Sequence, residues 1–325
     1  LFSRPVGRLL RILLVVAVTA YVLWRARPGA VLNALVHADL TWIALAIALV
    51  VVDRALMAYR WIVLLCPIDP ATRPPLSAVI RIFFLSSFAG TFLPTSIGAD
   101  VVRAFGLSQL NVAPGQAVAS VLMDRLLGVV SILIMGVVGL MLAQTQDLAS
   151  IRAIEVPLAI TAVVSACAAA VVFSESAASL AEAIALRLPF AIARRLATDL
   201  TRATRAYGRH HAELANVLLG SVAVQVLRII QAYCLGRALA IDLSVLAYFA
   251  FVPLILLVML LPVSINGIGP SQVAFVWFFG RAGVADAQSF ALSILFVALG
   301  IVGNLPGGLL YAFGARSNLP AQNAP

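Results

Sequence analysis

The chain has 325 residues, of which 63% are hydrophobic and only 11% charged, with a mean hydropathy of +1.07. A soluble domain carries roughly 45–50% apolar and about 25% charged residues, so the composition excludes a soluble globular protein and dictates a polytopic membrane protein. The formal charge of +9 comes from 22 basic residues, all of them Arg; in a membrane protein such an excess belongs to cytoplasmic loops and gives no reason to invoke nucleic acid.

Arg4, Arg8 and Arg11 lie in and before the first apolar run, a span over Leu9–Trp24. Arg25-Ala26-Arg27-Pro28 follows it without a tidy cleavage site, which reads as a retained first span that doubles as the targeting signal. The second span, Leu40–Cys66, carries Asp53, Arg54 and Arg60, with Asp53 and Arg60 seven apart on one helix face. Pro67 to Pro75 is a turn. Leu76–Leu93, a break at Pro94–Gly98 and a half-helix over Ala99–Leu107 read as a re-entrant hairpin, because irregular backbone at membrane depth survives only when protein or water covers it.

Asn111–Gly115 is a turn, and Ala117–Ala143 a long span with Asp124 and Arg125 near its start. Gln144–Glu155 is a polar loop and Val156–Phe173 a plain apolar span. Ser174–His211 sets Arg187, Arg194, Arg195, Arg202, Arg205 and Arg209 among Leu, Ile and Ala, a basic amphipathic segment expected on the cytoplasmic face. In the fifth span, Leu214–Leu235, Ser221, Gln225 and Arg228 form one polar stripe facing the bundle interior. Ser244–Leu261, a break at Pro262–Pro270 and Ser271–Gly280 make a second hairpin, and Phe290–Phe313 is the last span. Residues 317–325 read as a disordered tail. The expected fold is therefore all-α, with about six full spans and two broken-helix hairpins, eight membrane segments in one domain over residues 1–316.

The two breaks share a pattern, Leu93-Pro94-Thr95-Ser96-Ile97-Gly98 and Leu261-Pro262-Val263-Ser264-Ile265-Asn266-Gly267. Placing the basic loops inside puts both termini in the cytoplasm, with Arg25 and Arg27 dissenting. The hairpins then enter from opposite faces, the mark of an inverted repeat with its site where broken helices meet. Pro94, Gly98, Pro262, Gly267 and Gly269 are the expected helix breakers. Six full spans with hairpins and eight full crossings both keep the termini inside.

Arg54, Arg60, Arg81, Arg103, Arg125 and Arg228 lie in or near apolar segments, opposed by Asp53, Asp100 and Asp124. Burying six Arg costs roughly 15–20 kcal/mol even on insertion scales. The surplus points to a water-filled cavity or an anionic ligand, and guanidinium forks suit phosphate. A local reading stands beside this one: Asp100 and Arg103 pair at i, i+3, while Arg81 and Arg125 snorkel. The candidate lipid-binding residues are Arg81, Asp100, Arg103, Asp124, Arg125, Arg228 and Asn266. Cys66, Cys167 and Cys234 are scattered apolar-context residues, and with His37, His210 and His211 they form no metal-ligand pattern. No metal or other cofactor is expected.

Arg81-Ile-Phe-Phe-Leu running on to Gly98-Ala99-Asp100 and Arg103, Ala119-Ser120-Val121-Leu122-Met123-Asp124-Arg125, and Pro262-Val-Ser264-Ile265-Asn266-Gly267-Ile268-Gly269 together resemble the signatures of the lysylphosphatidylglycerol synthase transmembrane-region family, the flippase-like domain proteins. Two departures stand out. Ala99 replaces the second Gly of Gly-Gly-Asp, and Pro270-Ser271-Gln272 replaces a basic residue and Glu after the late motif. The resemblance implies moving or handling lipids in a bacterial cytoplasmic membrane, without the aminoacyl-transferase domain that some relatives carry. The expected function is transport of an anionic, phosphate-bearing lipid such as a phospholipid or a polyprenyl or hopanoid-type lipid, by a protein that is not an enzyme and whose partners are membrane lipids. A homo-oligomer fits the same reading. The alternatives are a membrane-embedded transferase with Asp100 as base and a small-solute secondary transporter.

Overall fold

Proline, glycine and capping side chains set where the helices begin. Pro28 opens α1 (Pro28–Val36). Asp39 caps α2 (Leu40–Val63) by accepting from the Thr41 amide at 2.8 Å, which satisfies one of the amides a helix start leaves without a partner. Pro75 precedes α3 (Leu76–Phe92), and α4 (Ile97–Ser108) follows. Asn111, at φ 61°, turns the chain toward Pro114, the first residue of α5 (Pro114–Thr145). A 3-10 turn at Ala206–Arg209 leads into α6 (His211–Ala238), followed by α7 (Val245–Met259), α8 (Pro270–Arg281) and α9 (Asp286–Arg316). The computed structural model describes residues 19–68, 70, 73–92, 97–145, 176, 179–180, 183, 201, 205–259 and 269–316, among which there is no strand.

Several boundaries differ from expectation, among them Pro270, which is the first residue of α8 and not part of the break. The turn at Asn111–Gly115 closes early because proline suits the first helical position, where its missing N–H costs nothing. Helix α9 starts at Asp286, four residues before Phe290, with the carboxylate in its first turn favoured by the helix dipole. Gly98 is not part of the break: it is the second residue of α4, where amides lack carbonyl partners in any case and glycine weakens little. Most of the first span, the span Val156–Phe173, Cys167, the bulk of Ser174–His211 and the tail 317–325 lie outside the described residues.

Among the described residues four helices are long and apolar enough to cross a membrane: Leu40–Val63, Pro114–Gly139, His211–Ala238 and Asp286–Phe313. The helices between them are shorter. α3 and α4 have 17 and 12 residues, α7 and α8 have 15 and 12, so each is about 18–26 Å long at about 1.5 Å per residue, short of a hydrocarbon core of roughly 30 Å. The order long, short, short, long thus occurs twice, as α2 to α5 and as α6 to α9.

Packing follows the same pairing. α2 lies along α6, α7 packs on α5, and α3 packs on α9. At the last two contacts a glycine of the long helix lets the backbones touch. A Cβ on Gly139 would stand 2.7 Å from the Ala250 carbonyl oxygen, and one on Gly307 would overlap that of Phe84. Pro306 lies inside α9 just before this contact.

Hydrogen bonds fix the two ends of the bundle. At one end the Asp39 amide donates to the Ala238 carbonyl at 2.9 Å, Gln288 Nε2 donates to the Leu239 carbonyl at 3.1 Å, and Arg25 lies 3.3 Å from Asp286. That ion pair offsets the charge of Arg25, one of the two residues dissenting from the loop-charge rule. At the other end Tyr207 donates to the Leu64 carbonyl at 2.6 Å. Burial pushes the Tyr207 phenol above its usual range and the neighbouring Cys66 thiol up to about 11. The open end of the α3–α4 pair packs beside Leu65 and Ile68, through Val79 and Leu107. The open end of the α7–α8 pair lies by Leu239 and Asp286, at the far end of α2.

The core is built on α7, which has no polar face and is buried all round as such a helix must be. Tyr248, Phe251, Leu254 and Ile255 are fully enclosed and meet Phe275 and Phe279 of α8. Phe251 and Phe279 stack edge-on at 5.5 Å. The α3–α4 pair sits at the periphery, with Val101 and Phe105 exposed.

Candidate functional site

Helix α4 presents two charges a single turn apart, and they point to different partners. Arg103 turns inward, its Nη1 donating to Asp124 Oδ2 at 3.0 Å. Asp100 turns outward and accepts from Arg125 Nε at 2.7 Å. The expected local Asp100–Arg103 pair is therefore replaced by two crossed pairs to α5. The helix periodicity explains it: consecutive residues on α5, Asp124 and Arg125, point about 100° apart, so one faces the bundle and the other the outside.

Asp124 also accepts from Arg60 Nη2 at 2.8 Å, through its other oxygen. One carboxylate thus bridges two guanidiniums, from α2 and α4, and all three side chains are buried. Arg103 further lies 5.0 Å from the Trp61 ring and 4.9 Å from the Phe83 ring, contacts that suit a poorly hydrated cation. The expected shared face of Asp53 and Arg60 does not become an ion pair. Asp53 instead lies 3.8 Å from Arg54 and 3.4 Å from Arg228, a second carboxylate between two guanidiniums. Arg60 lies within electrostatic reach of both Arg228 and Asp53, so the two groups form one chain across the bundle: Arg103, Asp124, Arg60, then Arg228, Asp53, Arg54. Its net charge is +2.

The sequence builds room for these side chains. Arg54 crosses to α9, where it donates to the Gly300 carbonyl at 3.3 Å; a Cβ on Gly303 would stand 2.7 Å from its Nε. The polar stripe of α6 faces inward as expected. Ser221 is buried, Gln225 Nε2 donates to Ser131 Oγ at 3.1 Å, and Arg228 approaches Asp53.

On the outer flank, α4 and α5 leave an apolar groove of about 560 Å³ between them. Val101, Ala104, Phe105, Val118 and Leu122 are among its walls, and Val101 and Phe105, at 61% and 63% exposure, make it face outward. Ser108 and Pro114 lie at the end nearest the Leu65 side, and the Asp100–Arg125 pair lies at the inner end.

The expected site residues thus divide. Arg103, Asp124 and Arg228 join the buried chain, while Asp100 and Arg125 close the groove. Arg81 is exposed on α3 and takes part in no ion pair among the described residues, so Arg81, Arg103, Arg125 and Arg228 do not form a single cradle. Pro94, Pro262, Asn266 and Gly267 lie outside the described residues. Gly269, at φ 95°, adopts a backbone that favours glycine and starts α8; its amide donates to Gln272 Oε1 at 2.6 Å. Gln272, the residue that departs from the family pattern, is thus a cap at the third helical position, a role Gln and Glu share. Arg54, Arg60, Asp53 and Trp61 belong to the site and were absent from the expected binding set. The run Asp53-Arg54 inside an otherwise apolar helix was the available signal. Among the described residues no group of three His, Cys, Asp or Glu could hold a metal ion.

A family model described as the lysylphosphatidylglycerol synthase TM region matches residues 8–307. A comparison with curated proteins returns no match. The match takes in both helix pairs, the ion-pair chain and the groove, and with nearly the whole 325-residue sequence covered the chain belongs to the lysylphosphatidylglycerol synthase transmembrane-region family.

Proposed function

We propose that this protein carries a phosphate-bearing lipid between the leaflets of a bacterial cytoplasmic membrane. One observation carries the reading: an outward-facing apolar groove ends at a guanidinium–carboxylate pair whose Arg125 adjoins Asp124 of the buried arginine-rich chain. Apolar walls suit an acyl chain. Arginine forks suit a phosphate. In water neither requirement would be unusual, but at membrane depth each ion costs about 2.5–3.5 kcal/mol, and a surplus of guanidiniums calls for an anion. The family membership supports a lipid-related role.

The inverted-repeat reading is part of the proposal. The recurrence of long, short, short, long helices supports it, as does the placement of the two open ends at opposite ends of α2. In this reading both short pairs are re-entrant hairpins, the basic segment 174–211 is cytoplasmic and both termini are inside. In this reading the protein is a transporter, and Asp100, held by Arg125 at 2.7 Å, closes the groove. The test is reconstitution of the purified protein with labelled lipids of several anionic headgroups. Transfer between leaflets above that of empty vesicles supports the proposal, and no excess for any headgroup refutes it.

A further inference from the structure

The buried chain of charges is sealed at one end and open at the other. Arg60 and Arg103 keep only 4% and 7% of their side chains exposed, whereas Arg228 keeps 24%. At the open end two guanidiniums aim at one weak acceptor. Arg54 Nη1 lies 3.3 Å and Arg228 Nη2 3.4 Å from the Met57 sulfur. A thioether accepts hydrogen bonds poorly, and a charged donor left on it has given up water for little return. Among the described residues Arg54 Nε, buried, has no hydrogen-bond partner, and neither do Arg60 Nε and Arg103 Nε. Asp53, the carboxylate nearest this corner, is shared: it lies 3.8 Å from one guanidinium and 3.4 Å from the other. Its Oδ1 makes no hydrogen bond of good geometry among the described residues.

Each feature has the same physical reading. A net +2 held largely within protein is destabilised by desolvation and by mutual repulsion, and at the Met57 corner two guanidiniums direct donors at one thioether. We propose that the corner formed by Arg54, Met57 and Arg228 is an anion-binding site. Its ligand is an oxyanion that accepts from both guanidiniums and displaces their contacts to the sulfur. The anion is either the phosphate of a lipid that has entered the bundle or a free inorganic anion; the chemistry at the corner is the same. The inference stands on the charge balance and donor geometry, and only its lipid arm rests on the transport reading above.

The experiment is thermal unfolding of the purified full-length protein in an uncharged detergent, at constant ionic strength. Inorganic phosphate is titrated against gluconate in one arm. In the other, a short-chain phosphatidylglycerol is titrated against a neutral diacylglycerol of the same chain length. A ligand that binds only the folded state raises Tm with its concentration. A saturable rise with phosphate assigns a free anion; a rise only with the phospholipid assigns a headgroup. In either case Arg228→Gln abolishes the rise. Arg228→Lys, which keeps the charge and loses the fork, weakens it at least severalfold, and Met57→Leu keeps it. No rise with either ligand overturns the site, as does a rise that Arg228→Lys and Arg54→Lys leave unchanged. None of these readouts depends on leaflet transfer, so failure here and failure of the transport reading are separate results.

Discussion

Asp100 and Arg103 lie one turn apart on α4 and do not pair: Asp100 is held by Arg125 at 2.7 Å on the outside, and Arg103 by Asp124 at 3.0 Å within. The helix therefore joins the groove to the buried charges through its own two faces. The two contacts differ in burial, and so in what their loss costs. Removing one partner of a buried ion pair costs about 3–5 kcal/mol, whereas a half-exposed pair is worth about 0–1 kcal/mol. Asp124→Asn strands two buried guanidiniums and is expected to lower Tm strongly in detergent. Asp100→Asn, facing an Arg125 side chain 44% exposed, is expected to change it little.

Gly303 tests how tightly Arg54 is held. An added Cβ would stand 2.7 Å from Arg54 Nε, and the buried guanidinium has little room to retreat. Gly303→Ala is expected to cost about 1–3 kcal/mol, as overpacking typically does, despite the higher helix propensity of Ala. Gly300→Ala, with nothing within 4 Å of the added atom, is the control and should be neutral or stabilising.

Arg81 separates exposed from buried arginine. It takes no part in an ion pair among the described residues and is exposed. Arg81→Gln is expected to stay within about 0.5 kcal/mol of wild type, and Arg60→Gln to fall well outside that range, both read by thermal unfolding.

Tyr207 predicts a pH dependence. Burial raises its phenol above the unfolded value of about 10. The hydrogen bond to Leu64, 2.6 Å long, therefore contributes fully below pH 10 and is lost as pH rises through the folded value. Tyr207→Phe should lower Tm by an amount that is constant from pH 6 to 9 and shrinks in stronger alkali. A difference spectrum between the two proteins should show no Tyr207 phenolate at pH 10.

The repeat arrangement predicts opposite accessibility for two loops. Gln109 and Ser244 are both exposed, at the open ends of the first and second short pairs. In a chain with its native cysteines removed, Gln109→Cys should react with an impermeant maleimide from the cytoplasmic side and Ser244→Cys from the other. Labelling of both from one side contradicts the inverted repeat.

The long helices are legible because apolar length alone specifies a span: the apolar run Leu40–Cys66 contains the helix Leu40–Val63, and Leu214–Leu235 lies within His211–Ala238. The inward stripe of Ser221, Gln225 and Arg228 was legible from helical spacing. The pairings were not. Asp53 and Arg60 share a face of α2, yet their partners come from α6 and from α5, and no spacing within one helix encodes which neighbour lies opposite. Asp100 and Arg103 misled for the same reason, since an i, i+3 spacing permits a pair without requiring it. The groove was invisible because ordinary Val, Ala, Phe and Leu line it; only the angle between α4 and α5 makes them a wall.

Lipid transfer by this protein should depend on the phosphate of the lipid. Vesicles holding the purified protein would carry either a fluorescent phospholipid or a fluorescent glycolipid of equal chain length without phosphate, and the labelled fraction reaching the opposite leaflet would be followed in time. Transport of a phosphate-bearing lipid predicts transfer of the phospholipid well above protein-free vesicles, little transfer of the glycolipid, and at least a tenfold loss with Arg228→Gln in protein shown to be folded. Equal transfer of both lipids, or transfer unchanged by Arg228→Gln, would contradict it.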